Sequence, residues 1–174
     1  MRRLILALAC CALSTGAWAQ TQTSVPKQIT GYSKIAVNFS AGAQECQLED
    51  PAAYSARLSE KLGEIGIQQN DESRLVANLG VSGQLFGALG TRCVSMVELT
   101  FNAALSKDNI VTSNQTVRQA VDKLGVFPIT LYSNGLFGVQ PQIESASGDP
   151  SQVSKKAVLG MIDDLVENLK KKRM

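Results

Sequence analysis

"CVSMVELTFNAAL", residues 93–105, decides the fold. Its odd positions read Cys93, Ser95, Val97, Leu99, Phe101, Ala103 and Leu105, and between them fall Glu98, Thr100 and Asn102. Successive side chains of a strand point to opposite faces, so a period of two with one apolar row predicts a strand with one face in a core and the other wet. A sheet covered on one side follows, and the rest of the chain has to supply its neighbours and its cover. The nearest neighbour is Arg74 to Ser82, which carries Ala77, Leu79 and Val81 on one face. The stretch between the two, QLFGALGTR (84–92), reads as a glycine-containing hairpin loop.

Upstream, Lys34 to Ser40 alternates Ile35, Val37 and Phe39 and predicts a first strand. Asp50 then suits a helix N-cap, with Pro51 at the first helical position, where a missing N–H costs nothing. Tyr54, Leu58, Leu62 and Ile65 recur at helical spacing, and Gly66 is placed to stop the helix. A strand–helix–strand crossover of this kind makes the first two strands parallel. Downstream, Lys107-Asp108-Asn109 reads as a turn and Ile110 to Thr112 as a short extension. Thr116-x-x-Gln119 fits a capping box, Val117, Ala120, Val121 and Leu124 share a face, and Gly125 supplies a stop. Val126 to Tyr132 predicts a strand, which Pro128 confines to a sheet edge. Ser133-Asn134-Gly135 predicts a turn, with Leu136 to Val139 returning. After the polar loop QIESASG, Asp149-Pro150 repeats the helix start. Val153, Ala157, Val158, Met161, Ile162, Leu165, Val166 and Leu169 then form one stripe. The expectation is an α+β single domain with a mixed or mainly antiparallel sheet, ordered β-α-β-β-(short α)-β-β-α. Two long helices pack on one face.

The first residues, MRRLILALACCALSTGAWAQ, combine a basic head, an apolar run from Leu4 to Leu13, and the small-residue motif Ala17-Trp18-Ala19. They predict a signal peptide over 1–19, cut after Ala19. The run falls far short of the ~20 residues that span a bilayer. Cys10 and Cys11 lie inside it without the residues a lipid-attachment site wants upstream. No other segment is long and apolar enough to cross a membrane. Residues 20–31 read as a flexible lead-in, and 32–174 as the domain. The whole chain has 17 basic and 15 acidic residues; without Arg2 and Arg3 the two balance at 15 each. The apparent basicity belongs to the leader and gives nucleic acid no footprint. The expected product is periplasmic.

Two cysteines then remain, Cys46 and Cys93, 47 positions apart. In an oxidising compartment an even count implies a disulfide. The predicted topology supports it, because both cysteines fall at the same end of the sheet. The rivals lack partners. With no histidine in the chain there is no Cys-His or Ser-His arrangement, and no imidazole ligand for a metal. The carboxylates sit at helix caps or off the apolar stripes. No phosphate-binding or dinucleotide-binding glycine loop appears. No catalytic residue, cofactor or metal site is assigned.

Two features suggest contact surfaces. GQLFGALG (83–90) and NGLFGVQP (134–141) each place Leu-Phe-Gly at an expected turn, which makes Leu85, Phe86, Leu136 and Phe137 candidate partner contacts. The tail Lys170, Lys171, Lys172 and Arg173 is a second candidate, suited to anionic lipid or an acidic partner.

In element order, KIAVNFS, the first helix, two long antiparallel strands and the closing helix VSKKAVLGMIDDLVENLKKK resemble small bacterial envelope accessory proteins. The arrangement is similar to lipopolysaccharide-assembly lipoproteins and to the N-terminal domain of the Tol-system periplasmic protein and related curli-secretion-type domains. The resemblance implies a plug, chaperone or adaptor without catalysis, and carries no functional residue. The expected function is therefore a non-enzymatic adaptor with a protein partner in the envelope, acting through a sheet edge or the two Leu-Phe-Gly segments. A periplasmic binding protein for an apolar or lipidic ligand is the alternative, and a carboxylate-dependent hydrolase the third reading.

Overall fold

The structure is a computed structural model that describes residues 25–86, 92–106, 114–124, 126–141 and 150–174. Eleven elements are described: α1 (Val25–Gln28), β1 (Gly31–Tyr32), β2 (Lys34–Phe39), α2 (Ala41–Glu45), α3 (Pro51–Glu64), β3 (Gln68–Gln69), β4 (Leu75–Phe86), β5 (Arg92–Ser106), α4 (Gln115–Leu124), β6 (Val126–Pro141) and α5 (Pro150–Arg173). The main sheet has the order β2-β4-β5-β6, and β1 pairs with β3 in a small parallel sheet. The signal peptide, the turn at 107–109, the extension at 110–112, Gly125, Asp149 and most of the loop at 84–92 lie outside the described residues.

The alternation in β5 is realised without a slip. Cys93, Ser95, Val97, Leu99, Phe101 and Ala103 are buried, and the residues between them are not. The crossover makes β2 parallel to β4, from Lys34↔Val76 to Phe39↔Val81. β4 and β5 are antiparallel from Leu75↔Ala103 to Phe86↔Arg92. Ala77, Leu79 and Val81 complete the inner row. Tyr54, Leu58 and Leu62 of α3 and Val158, Ile162, Leu165 and Leu169 of α5 join the same core.

Local chemistry fixes both long helices. The Asp50 carboxylate accepts the Ala53 N–H at 3.2 Å, with Pro51 beginning α3 as expected. Gly66 ends it with φ +75°, a region open to glycine at little cost. α3 is tied to α5 by Arg57, whose Nε and Nη2 donate to the two Asp163 carboxylate oxygens at 2.7 Å each. Such a fork fixes geometry as well as adding charge-assisted bonding.

Three local expectations are corrected, and one element is added. Ser133-Asn134-Gly135 is not a turn: β6 runs straight through it, with Ser133↔Thr100, Asn134↔Leu99 and Gly135↔Glu98. A two-residue type I′ hairpin needs positive φ at both central residues. Neither Asn134 nor Gly135 has it. The full-length ladder offered by β5 outweighs the local preference. The two strands expected over 126–139 are therefore one, held at the edge position that Pro128 requires. The lead-in is not loose throughout: α1 forms within 20–31, Ile29 is buried in the core, and Gly31 begins β1. Thr116 does not cap α4; the Asn114 side chain accepts its N–H at 3.0 Å, one residue before the helix begins. Finally, α2 is an element that periodicity could not reveal. Ser40 caps it, its Oγ accepting the Ala43 N–H at 3.2 Å.

Candidate functional site

The disulfide Cys46–Cys93 closes one end of the sheet, with a Cα–Cα distance of 5.9 Å. Cys46 follows α2, and Cys93 lies opposite Leu85 near the start of β5. Two glycines let α2 come this close. A Cβ on Gly42 would run into the Gly83 carbonyl oxygen, and one on Gly83 would sit 2.7 Å from the Gly42 oxygen and 3.0 Å from the Cys46 sulfur. The Ser40 hydroxyl also accepts the Gly83 N–H at 3.3 Å. This end of the sheet is thus braced by a covalent bond, a backbone-to-backbone contact and a hydrogen bond.

The strand registers settle where the candidate contacts point. Leu85 lies opposite Cys93 and Leu136 opposite Val97, so both belong to the inner row and pack against the core. Phe86 lies opposite Arg92 and Phe137 opposite Met96, so both belong to the outer row. Phe86 is 37% exposed and Phe137 77%. Neither pair forms the turn tip that Leu-Phe-Gly suggested: Phe137 is well inside β6, and Phe86 is the last residue of β4. At 3.4 Å per residue and 4.8 Å per strand the two rings are about 17 Å apart on one face, with Val94 and Met96 between them. Sequence reasoning missed Val94 and Met96, although the alternation that buries Val97 already places both on the wet side.

α2, α3 and α5 all pack on the inner face. The outer row at the braced end, Gln84, Phe86, Arg92, Val94, Met96 and Phe137, therefore remains at the surface to different degrees. Farther along, Ser133 donates to the Glu98 carboxylate at 2.6 Å, which fixes the one acidic group of this face among the described residues of β4, β5 and β6.

The basic tail is differently placed. α5 continues to Arg173, whose Nη1 donates at 2.6 Å to the Ile65 carbonyl at the end of α3. A cation there satisfies an orphan carbonyl and suits the negative end of the helix dipole. The Lys172 ammonium lies 5.4 Å from the centre of the Tyr132 ring, a cation–π contact. Lys170 lies 3.6 Å from Glu167, and Lys171 is exposed. Two members of the tail thus hold the fold together, a role that no local pattern announces.

Two clefts flank these helix ends. One, about 350 Å³, is lined by Lys61, Glu64, Asp163, Asp164, Glu167 and Lys170 with Ile65 and Val166. The other, about 390 Å³, lies between Glu64, Ile65, Gly66, Lys170, Arg173 and Met174. Their charges are largely paired within the protein, as in Lys61–Glu64 at 2.6 Å. The charged walls of the first cleft are unlike the apolar lining expected for a lipidic ligand. Burial pushes the Tyr54 hydroxyl well above the usual tyrosine range, with the Asp50 carboxylate adding to it. Burial likewise raises Tyr132. Hydrogen bonds to Asp163 and then Glu60 hold Arg57 in its charged form. Among the described residues, no group of three or more His, Cys, Asp or Glu side chains is placed to hold a metal ion, and no helix is long and apolar enough to cross a membrane.

No family model matches the chain, and no curated protein sequence does. Among solved structures, the chain is similar to a minor lipoprotein from Acinetobacter baumannii at 16% identity and a TM-score of 0.34, over 81% of this chain and 91% of that one. It is similar to the rare lipoprotein B from Shewanella oneidensis at 10% identity and a TM-score of 0.38, over 79% and 91%. A dodecameric PelC variant from Paraburkholderia phytofirmans gives 12% identity and a TM-score of 0.35, over 80% and 87%. Likeness at this level assigns neither an activity nor a binding partner.

Proposed function

We propose that this chain is an exported, non-enzymatic accessory protein of a bacterial cell envelope, and that it docks a protein partner on the outer face of its sheet at the disulfide-braced end. The observation that carries the reading is the set of apolar side chains on the sheet face opposite α2, α3 and α5, with Phe86 and Phe137 exposed. Helices α2, α3 and α5 pack on the inner face, while Phe86, Val94, Met96 and Phe137 share the outer one. A cluster of aromatic and methionine side chains beside an exposed arginine (Arg92) has the composition of an interface core. The bracing supports the same reading, since a rigid platform lowers the ordering cost of binding. The Cys46–Cys93 bridge and the expected signal peptide both support export to an oxidising compartment.

The test is capture of partners from periplasmic extract by the tagged, mature chain and by a Phe86→Ser/Met96→Ser variant. Both substitutions lie on the outer face and leave β6 untouched. Specific partners held by the parent and lost from the variant, at unchanged thermal stability, are expected. Retention of every partner would overturn the docking site.

A further inference from the structure

We propose that β6 is a self-complementary edge that joins two copies of this chain, antiparallel about Asn134, into one continuous sheet. The inference goes beyond the docking reading and does not rest on it.

Among the described residues β6 ends the main sheet, and the backbone groups on its far side have no strand partner there. Soluble proteins normally guard such an edge with charge, proline, bulges or cover. Here Val126–Pro141 contains no charged residue at all. Proline stands near one end and at the other, and a register shift at Phe101/Asn102 leaves Leu131 as the extra residue. Between that bulge and Pro141 neither charge nor proline guards the edge.

Two large apolar side chains of β6 are exposed, Leu131 at 37% and Phe137 at 77%. They stand three residues either side of Asn134 and, with Ser133 and Gly135, on the outer row. A twofold axis at Asn134 therefore sets Leu131 of each copy opposite Phe137 of the other, and Ser133 opposite Gly135. Each exposed apolar group is thus covered, in two symmetry-related pairs of the kind that stabilise sheets. The small residues fall together between them. The absence of charge matters as much, because an isologous contact repeats any like-charge clash on both sides of its axis. The ladder spans Leu131 to Phe137 and is ended on each side by the bulge of one copy. The occupant is a second copy because the symmetry of exposed groups lies within β6 itself.

Sedimentation velocity of the mature chain is the measurement, with three proteins. The parent is expected at twice the monomer mass, and Leu131→Lys/Phe137→Lys, which opposes lysine to lysine, at the monomer mass. Leu131→Lys/Phe137→Glu, which opposes lysine to glutamate in this register, is expected to return to the dimer. Amide exchange over 131–137 of the parent should slow as concentration rises, a readout that needs no substitution. A monomeric parent, a dimer that survives two lysines, or a lysine–glutamate variant that stays monomeric at unchanged stability would each overturn the proposal. A monomeric parent whose β6 amides are protected only with another protein would also overturn it, and would assign the edge to an unlike strand.

Discussion

Removing the disulfide is the sharpest test of how this small sheet stays folded. Cys46 and Cys93 are separated by 47 positions. The chain-entropy relation assigns a closed loop of that length roughly 4 kcal/mol of stabilisation, gained by restricting the unfolded chain. Both sulfurs are fully buried, so Cys46→Ala with Cys93→Ala is the suitable variant. Serine would bury two hydroxyls without assured partners. The native brace does not vanish with the bond, because the Gly42–Gly83 contact and the Ser40 hydrogen bonds persist. The variant should therefore fold, with stability lower by about 4 kcal/mol. For a domain of this size that is a fall in Tm of about 8 to 16 °C. Urea denaturation of the oxidised parent, the parent under reductant and the double alanine variant separates the causes. If the bond acts on the unfolded chain, the m-value rises when it is absent, since the released chain exposes more surface. A loss below about 1 kcal/mol would refute the entropic reasoning. So would a full loss with no change in m, which would locate the stabilisation in the packing of α2 on β4.

Two further outcomes follow from single residues. Gly42→Ala puts a methyl against the Gly83 carbonyl, and neither backbone can give way while the disulfide holds α2. Its cost should reach the 1–3 kcal/mol typical of overpacking, read by urea titration, whereas Gly63→Ala, with open space around it, should be neutral or stabilising. Tyr54 gives a pH signature. In the folded protein its proton is held to higher pH than in the unfolded chain, where it leaves near pH ~10. Its stabilising contribution is whole below that value and is lost as pH rises above it, at up to about 1.4 kcal/mol per pH unit. Tyr54→Phe should flatten the decline between pH 10 and 11 by about 1 kcal/mol. At neutral pH it should cost about 1–3 kcal/mol, because the Leu48 carbonyl loses the hydroxyl that donates to it at 2.6 Å. An unchanged slope in the variant would refute the assignment.

Much of the architecture is legible in the residues because it rests on period. The alternation of 93–105 and the stripes of α3 and α5 repeat the same instruction many times over, and one misread residue cannot reverse it. The disulfide was legible for a different reason. Its two ends are placed by strand order, and strand order follows from the crossover rule. What failed was the reading of single local signals against long-range pairing. Ser133-Asn134-Gly135 has the residues of a turn, yet it lies opposite Glu98 to Thr100, where β5 offers every backbone group a partner. Leu-Phe-Gly looked like one exposed unit, yet in a strand its leucine and phenylalanine must face opposite ways. Two tail residues, Lys172 and Arg173, were legible as charge but not as structure. The groups they meet, Tyr132 and the Ile65 carbonyl, are distant in sequence.

The placement of order within the sheet supplies a further step. At the top, α2 is fixed to β5 by the disulfide and to β4 by the glycine contact and the Ser40–Gly83 hydrogen bond. At the bottom, α3 and α5 are locked by the Arg57–Asp163 fork and by Arg173 on Ile65. These devices all act on the inner face or across the two helices, and none reaches the free side of β6. A chain under selection only for its own stability would gain from a lysine on so long an edge, since one exposed charge costs little and prevents mispairing. Leu131 and Phe137 stand where such a charge would be cheapest, and each is large, apolar and exposed. The least protected strand thus carries side chains that make sense when another strand lies beside it. Leu131→Lys alone should therefore leave the unfolding free energy of the monomer nearly unchanged, within about 0.5 kcal/mol, as expected for a surface substitution. A monomer destabilised well beyond that would mean that Leu131 serves the fold of its own chain, and the apolar edge would need no partner to explain it.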